Sequence, residues 1–298
     1  MKIGLMASQD SWHVSTLRRA LEQRGVTVEL YSSTRLLAHI APSSASEEAR
    51  PRVSVHDAPL DDCAALVVRG IPIASLEQII FRVDVLHRLE NMGVRVINSA
   101  ITIEKTVDKY YTSSLLEDAG IPTPRTVVTE HFDEALAAFD ELGGDVVVKP
   151  LFGSEGKGML RLADRDLAHR VFRTLELGRY VYYLQEYIPH QDWDIRAFVL
   201  GGQLLAAMKR QGNGWKTNVA QGAQSETLKL DPALEVMSLR AAELVEADYA
   251  GVDIMCDQQG QPYVIEVNGI PGWHGLQRTV DFDVADAVAE HVLKLAKR

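Results

Sequence analysis

Asp253, Glu266 and Asn268 are the residues whose types and spacing point most directly to chemistry. Residues 249–257 and 261–267 both alternate like strands, with Gln258-Gln259-Gly260 between them. A two-residue turn at Gln259-Gly260 suits the glycine preference of tight hairpins. That register sets Asp253 opposite Glu266 and puts Asn268, two residues on, on the same face. Val252, Ile254, Ile265 and Val267 then point to the other, buried face. Two facing carboxylates destabilise a bare sheet by repulsion. A divalent cation removes that cost, and carboxylate and amide oxygens are the hard ligands that suit magnesium. No His or Cys joins the cluster, which disfavours zinc. On spacing alone, a solvated acidic hairpin face is the competing reading.

A second candidate is a phosphate loop. Val146-Val147-Val148-Lys149-Pro150 ends a strand on a lysine, and Leu151-Phe152-Gly153-Ser154-Glu155-Gly156-Lys157-Gly158 follows. Such a glycine-rich backbone can close its N–H groups on phosphates, so Ser154, Gly156 and Gly158 are candidate nucleotide contacts. The loop lacks the Gly-Lys-Ser/Thr ending of a Walker motif and leads into a strand, which makes it lid-like. Lys149 could hold a phosphate as a point charge. A glycine-rich hairpin beside a surface lysine is the plainer account of the same residues.

Further on, Leu184-Gln185-Glu186-Tyr187-Ile188-Pro189 is a strand end that could offer backbone groups to an adenine edge. Asp194, Arg196 and Phe198 share one face of the next strand. A turn at Gly201-Gly202 sets Asp194 opposite Lys209 in the simplest register, a plain cross-strand ion pair. Arg210 then points away from Asp194, unless a bulge or another register brings it to the site.

These residues need a scaffold, and the hydrophobic pattern supplies one. A β-α-β start covers residues 2–31, followed by a Ser-, Ala-, Pro- and Glu-rich loop at 40–51. Further strand, helix and strand at 64–69, 74–90 and 94–97 complete a parallel α/β lobe over residues 1–100. Helix-rich residues 100–119 lead into a lid unit that ends near 180. Residues 181–298 read as an antiparallel sheet backed by helices at 232–247 and 283–296. No Gly-x-Gly-x-x-Gly follows the first strand, so a dinucleotide fingerprint is absent.

Composition bounds the rest. With 298 residues, 46% hydrophobic and 24% charged, the chain is long enough for two or three lobes of ordinary globular character. No apolar run is long enough to span a membrane. The start, Met1-Lys2-Ile3-Gly4-Leu5-Met6, reads as a buried strand and not a signal peptide. Cys63 and Cys256 sit in strand-like stretches and read as buried thiols. These features lead us to expect a cytoplasmic protein. The net charge of −10 argues against nucleic acid as the main partner.

The order of the motifs is more specific than any one of them. Asp108-Lys109, Gly120-Ile121-Pro122-Thr123-Pro124, Val147-Val148-Lys149-Pro150, the 153–158 loop and Gln185-Glu186-Tyr187-Ile188 come first. Asp194-Ile195-Arg196, Lys216-Thr217-Asn218, Ala250-Gly251-Val252-Asp253-Ile254 and Glu266-Val267-Asn268 follow. From Lys109 almost to the C-terminus, and weakly before it, the chain resembles the ATP-grasp superfamily, and within it the RimK-type glutamate ligases. The resemblance implies an α/β (α+β) fold: an N-terminal parallel lobe (1–100), a linker helix and lid subdomain (101–180), and a C-terminal antiparallel-sheet subdomain with the metal site (181–298). It implies ATP with Mg2+, and Mn2+ as a substitute. Lys109 and Lys149 look like the nucleotide lysines, Glu186, Tyr187 and Ile188 like the adenine hinge, and Asp194 like a nucleotide-contacting aspartate. Lys216 and Asn218 resemble an Arg-Ser-Asn triplet that reaches the phosphates. Asp253, Glu266 and Asn268 match the magnesium ligands. Lys149, Lys216 and Arg210 would offset charge on the transferred phosphoryl group, while Glu155 and Lys157 read as lid surface.

The chain also departs from the pattern. Lys216 stands where the family often has arginine, so bidentate phosphate binding is lost. Ala220-Gln221-Gly222-Ala223 replaces a His-Arg-Gly-Gly stretch, which puts a ribosomal-protein acceptor in doubt. Residues 268–277 look more like ligases that add glutamate to pterin or deazaflavin coenzymes. The expected chemistry is therefore an ADP-forming acid–amino-acid ligation through an acyl phosphate. L-glutamate would be joined to a small acidic coenzyme of the tetrahydromethanopterin type. Arg69, Arg196 and Trp273 are the candidate substrate residues, with Trp273 either a flat surface for a ring or a packing residue below the metal hairpin, and Arg69 either an acceptor contact or a surface salt bridge. The number of subunits is open, with a homo-oligomer one option. Competing readings are a protein C-terminus as acceptor, another ATP-grasp carboxylase or dipeptide ligase, a non-catalytic ATP-binding regulator, and a sugar-nucleotide enzyme.

Overall fold

The computed structural model describes residues 1–40, 51–153, 156–212, 214–215, 217 and 222–297. The chain opens with β1 (Lys2–Ala7), α1 (Trp12–Glu22) and β2 (Thr27–Ser32). Ser11 caps α1 by accepting from the Val14 amide, and Val14, Leu17 and Leu21 form its buried stripe. Short strands β3 (Leu36–Ala38), β4 (Val53–Val55) and β5 (Ala58–Pro59) make a small antiparallel sheet that the sequence pattern did not announce. Then come β6 (Ala65–Val68), α2 (Leu76–Asn91) and β7 (Arg95–Ile97). A Ser75–Gln78 capping box starts α2. The resulting sheet has the order β2-β1-β6-β7 and is parallel throughout, as the first lobe was expected to be.

Helices α3 (Ala100–Val107) and α4 (Lys109–Asp118) lead to the second sheet. Its parts are β8 (Thr126–Thr129), α5 (Phe132–Glu141), β9 (Val146–Lys149), β10 (Leu160–Leu162), α6 (Arg165–Leu177) and β11 (Tyr182–Glu186). The order is β10-β9-β11-β8, antiparallel. Residues 182–186, expected as a strand of the C-terminal sheet, pair instead with β8 and β9.

The third sheet comprises β12 (Trp193–Leu200), β13 (Gln203–Gln211), β14 (Gln224–Leu228), β15 (Tyr249–Cys256) and β16 (Pro262–Asn268), in the order β14-β13-β12-β15-β16. Between β14 and β15 runs α7 (Pro232–Leu244), with proline in its first turn and an Asp231 cap. After β16 come α8 (His274–Gln277) and α9 (Val284–Ala296). The last helix returns to the first lobe, where Val284, Val288 and Val292 join α1 in one core. Phe198, Met208 and Trp273 enter the same core from the third sheet and the segment after it, so the lobes share buried apolar surface. Cys63 is buried as expected, whereas Cys256 is only half-buried. Among the described residues no helix is long and apolar enough to cross a membrane.

Candidate active site

The β15–β16 hairpin does set Asp253 opposite Glu266, by a different route from the one expected. Its turn is longer than two residues. Asp257 Oδ1 accepts from the amides of Gln259 and Gln261, and Gly260 closes the turn at φ 85°. A bulge at Ile265 absorbs the extra residue and restores the facing pair. Ile265 is thereby turned into the cleft beside Glu266, while Val252, Ile254, Val264 and Val267 are buried. Asn268 lies at the end of the ladder, where its Nδ2 donates to Gly251 O at 3.2 Å.

Asp253 is one member of a buried ionic network. Arg196 grips it with two donors, Nη2 at 2.7 Å from Oδ2 and Nε on Oδ1. Arg210 Nη2 lies 3.1 Å from the same Oδ2. Arg210 also grips Asp194, with Nε at 2.6 Å and Nη2 at 2.5 Å, and Thr217 Oγ1 donates to Asp194 at 2.5 Å. Burial alone would push the Asp253 carboxyl up. The two guanidinium charges and their hydrogen bonds outweigh it and hold the group below the usual carboxylate range. Asp194 pairs with Arg210 and not, as the simplest register had it, with Lys209. A bulge at Phe198/Val199 slips β13 by one residue, and Lys209 lies over the Trp193 ring instead.

The lysines approach from the second sheet and the linker. Asp108 caps α4 by accepting from the Tyr110 and Tyr111 amides, which places Lys109 at the mouth of the cleft. Lys109 Nζ donates to Gly153 O at 2.7 Å and stands 3.9 Å from Glu266 Oε1. Lys149, at the end of β9, is buried and donates to Gln185 Oε1 at 2.6 Å. Burial and the positive charge of Lys109 bring its pKa down to about 8, against the pull of Glu266 and Asp253. Between about pH 8 and the ordinary value of 10.5 the unfolded chain thus binds the extra proton. Fold stability should rise with pH across that window. If Lys149 faces the phosphates of a bound nucleotide, as the resemblance implies, nucleotide affinity should fall over the same window, because that cation is lost. Calorimetric titration with ADP at a series of pH values checks this, and a flat affinity would remove Lys149 as a phosphate contact.

Lys109, Lys149, Asp194, Arg210, Asp253 and Glu266 line a cleft between the second and third sheets. Val147, Met255 and Ile265 give it an apolar wall, and Glu186, Tyr187 and Ile188 form the edge. That edge is held in place: the Glu186 carboxylate accepts from Arg125 N and Nε, and Tyr187 N donates to Asp145 O. His190 Nδ1 contacts Ile188 O at 2.7 Å, and its Nε2 is buried without a partner among the described residues. Gln185, His190, Thr217 and Met255 line the cleft too; the motifs contained or adjoined them, but they carried no signal of their own. Gly156 and Lys157 also line the cleft, the latter having been read as lid surface. Gly158 turns the loop at φ 75° against Pro150. Ser154, Glu155, Lys216, Asn218, Ala220 and Gln221 lie outside the described residues.

The three substrate candidates all have partners within the protein. Trp273 is wholly buried, edge-on to His13 and Phe198 with Arg69 over its ring at 4.4 Å. It is a packing residue and presents no face for a ligand ring. Arg69 donates to the Tyr249 hydroxyl and to Pro271 O, both at 3.0 Å, and so fastens the first lobe to the third sheet. Arg196 is occupied by Asp253.

Residues 106–292 match the family model described as the RimK-like ATP-grasp domain, and residues 1–103 match the RimK PreATP-grasp domain. The chain belongs to the RimK-like ATP-grasp family. It is an ATP-dependent ligase. One relative is the tetrahydromethanopterin:alpha-L-glutamate ligase of Methanococcus maripaludis, 32% identical over 100% of this chain and 99% of that one. Another is a probable alpha-L-glutamate ligase of Aliivibrio fischeri, 31% identical over 99% and 96%. The alpha-aminoadipate–LysW ligase LysX of Sulfurisphaera tokodaii is 33% identical over 70% of this chain and 75% of its own. Among solved structures, a RimK domain ATP-grasp protein from Sphaerobacter thermophilus superposes with TM-score 0.75 at 24% identity, covering 98% of this chain and 100% of that one. The ATP-grasp ligase PsnB, solved with minimal precursor, Mg and ADP, gives 0.73 at 22%, covering 99% and 98%. These structural likenesses carry the ATP-grasp fold.

Proposed function

We propose that this ligase uses Mg-ATP to convert a substrate carboxylate into an acyl phosphate and passes the acyl group to the amine of L-glutamate. The products are an amide, ADP and phosphate. The observation that carries the reading is the single cleft where Lys109, Lys149 and Arg210 converge on Asp253 and Glu266, with an apolar wall behind them. A polyphosphate needs those cations, and a base needs that wall.

The donor set fits magnesium. Asp253 and Glu266 offer facing hard oxygens, and Asn268 an amide oxygen at the end of the same ladder. Manganese, with the same ligand preference, would substitute. A cation held there would neutralise phosphate charge and polarise the phosphoryl oxygens. The protein's own groups do the remaining work. Lys149 and Lys109 draw the phosphates in as point charges. Arg210 is held rigid by two carboxylates, so its donors need no reorganisation as charge develops. The substrate carboxylate oxygen attacks the γ-phosphorus, and the bond to ADP breaks. The glutamate nitrogen then attacks the acyl carbon, phosphate departs and the nitrogen loses its proton. The first step needs no protein base, because the nucleophile is already an anion; positioning and charge stabilisation suffice.

Glutamate as the added group, and a small acidic coenzyme as acceptor, draw support from the full-length relatives named tetrahydromethanopterin:alpha-L-glutamate ligase, at 28–32% identity. The likeness to LysX keeps a protein acceptor as the second reading. Incubation with Mg-ATP, labelled glutamate and either a tetrahydromethanopterin-type coenzyme or a protein acceptor separates the two. Label is expected in the small-molecule fraction, with stoichiometric ADP. Label confined to protein would reassign the acceptor, and ADP release without label would reassign the incoming amine.

A further inference from the structure

We propose that Asn98, just past β7 in the first lobe, is a positioning residue that sets the spacing of the two strands carrying Asp253, Glu266 and Asn268. The inference rests on the metal reading above and extends it to a residue outside the cleft. Asn98 is completely buried. Its Nδ2 donates to Tyr249 O at 2.8 Å and to Gly269 O at 2.6 Å. Its Oδ1 accepts from Asp248 N at 2.6 Å and Tyr249 N at 3.2 Å. A primary amide has two donors and an oxygen with two lone pairs, so the whole capacity of the group is spent on the third sheet's hairpin.

Those four bonds fall where the hairpin needs them. The ladder between β15 and β16 ends at the Gly251–Asn268 pair. The pairing stops there, and the Asn98 amide bridges Tyr249 O on one side to Gly269 O on the other. Tyr249 stands four residues before Asp253, and Gly269 directly follows Asn268. The neighbouring α3 leaves this segment no slack. A Cβ added to Gly269 would lie 2.3 Å from Thr106 Oγ1. Thr102 Oγ1 and Lys105 Nζ hold Glu246 O and Leu244 O, at 2.9 and 3.2 Å, just ahead of β15. Asn98 and α3 together thus hold both the start of β15 and the end of β16. Magnesium demands near-octahedral oxygen geometry at about 2.1 Å, so a small change in strand separation costs metal binding before it costs the fold.

No apolar or acidic side chain can replace the amide. Asn98→Asp keeps the shape and the accepting oxygen but sets a second oxygen against two carbonyls. Gly269→Ala displaces the same segment from the α3 side and serves if Asn98→Asp does not fold. Calorimetry with ADP, with and without Mg2+, reads the effect independently of turnover. We expect metal-free ADP affinity to be unchanged and the Mg2+ concentration for half-saturation to rise about tenfold or more, the range seen when a partner of a metal ligand is removed. Turnover should recover as Mg2+ is raised. A lowered melting temperature with unchanged Mg2+ half-saturation would make Asn98 a purely structural residue and overturn the proposal. A wild-type enzyme whose ADP affinity ignores Mg2+ would remove the metal reading itself, and this proposal with it.

Discussion

Arg210→Met should cost the enzyme both its fold stability and its chemistry. The side chain is 3% exposed and pairs with two buried carboxylates. Without it Asp253 keeps Arg196, but Asp194 keeps only the Thr217 hydroxyl among the bonds described. Removing one partner from a buried ionic group typically costs about 3–5 kcal/mol, because the charge left behind is neither solvated nor paired. Turnover should fall by about 10²–10³, the usual loss when a preorganised donor to developing charge is removed. The two effects separate in the double variant Arg210→Met/Asp194→Asn, which removes the stranded charge. Denaturant melts should recover most of the stability there, and turnover should stay low. A single variant as stable as wild type would mean that the network does not hold the site together.

Glu266→Gln should give the opposite profile, a silent fold and a failed reaction. Glu266 is partly exposed, and its one ion pair among the described residues is with Lys109 at 3.9 Å, so stability should change by no more than about 0.5 kcal/mol. Replacing one carboxylate oxygen of the metal set by an amide removes charge that magnesium needs. Outer partners of metal ligands already cost about 10–100-fold when removed, so a direct ligand should cost at least the upper end of that range. Turnover measured against Mg2+ concentration checks it, with Asp253→Asn as the companion. Wild-type turnover indifferent to chelation would sink the assignment of both carboxylates.

How much of this was legible in the residues depends on how local each signal is. Asp253 facing Glu266 could be read because alternation and one glycine turn nearly define a hairpin. The Ile265 bulge could not, since it answers to the longer Asp257 turn and leaves no mark in composition. The same limit hid the Asp194–Arg210 pair. One slipped residue at Phe198/Val199 exchanges Lys209 for Arg210, and a cross-strand ion pair suits either. Strand β11 was misassigned because its partners lie on both sides of the lid. Trp273 invited a ligand-stacking role as a large aromatic after the metal strand. Its burial is decided by α1 and Arg69, more than 200 residues away in sequence. The parallel first lobe, by contrast, was plain from buried strands alternating with amphipathic helices, a pattern that needs no long-range information.

One isotope measurement tests the acyl phosphate directly. The acceptor carboxylate is labelled with oxygen-18, and the enzyme turns over once with Mg-ATP and glutamate. In the proposed reaction a carboxylate oxygen becomes the bridge to phosphorus and leaves with it, so the label should appear in inorganic phosphate while ADP stays unlabelled. Label recovered in AMP, with pyrophosphate released, would mean that the carboxylate is adenylated, and would contradict the chemistry assigned to this cleft.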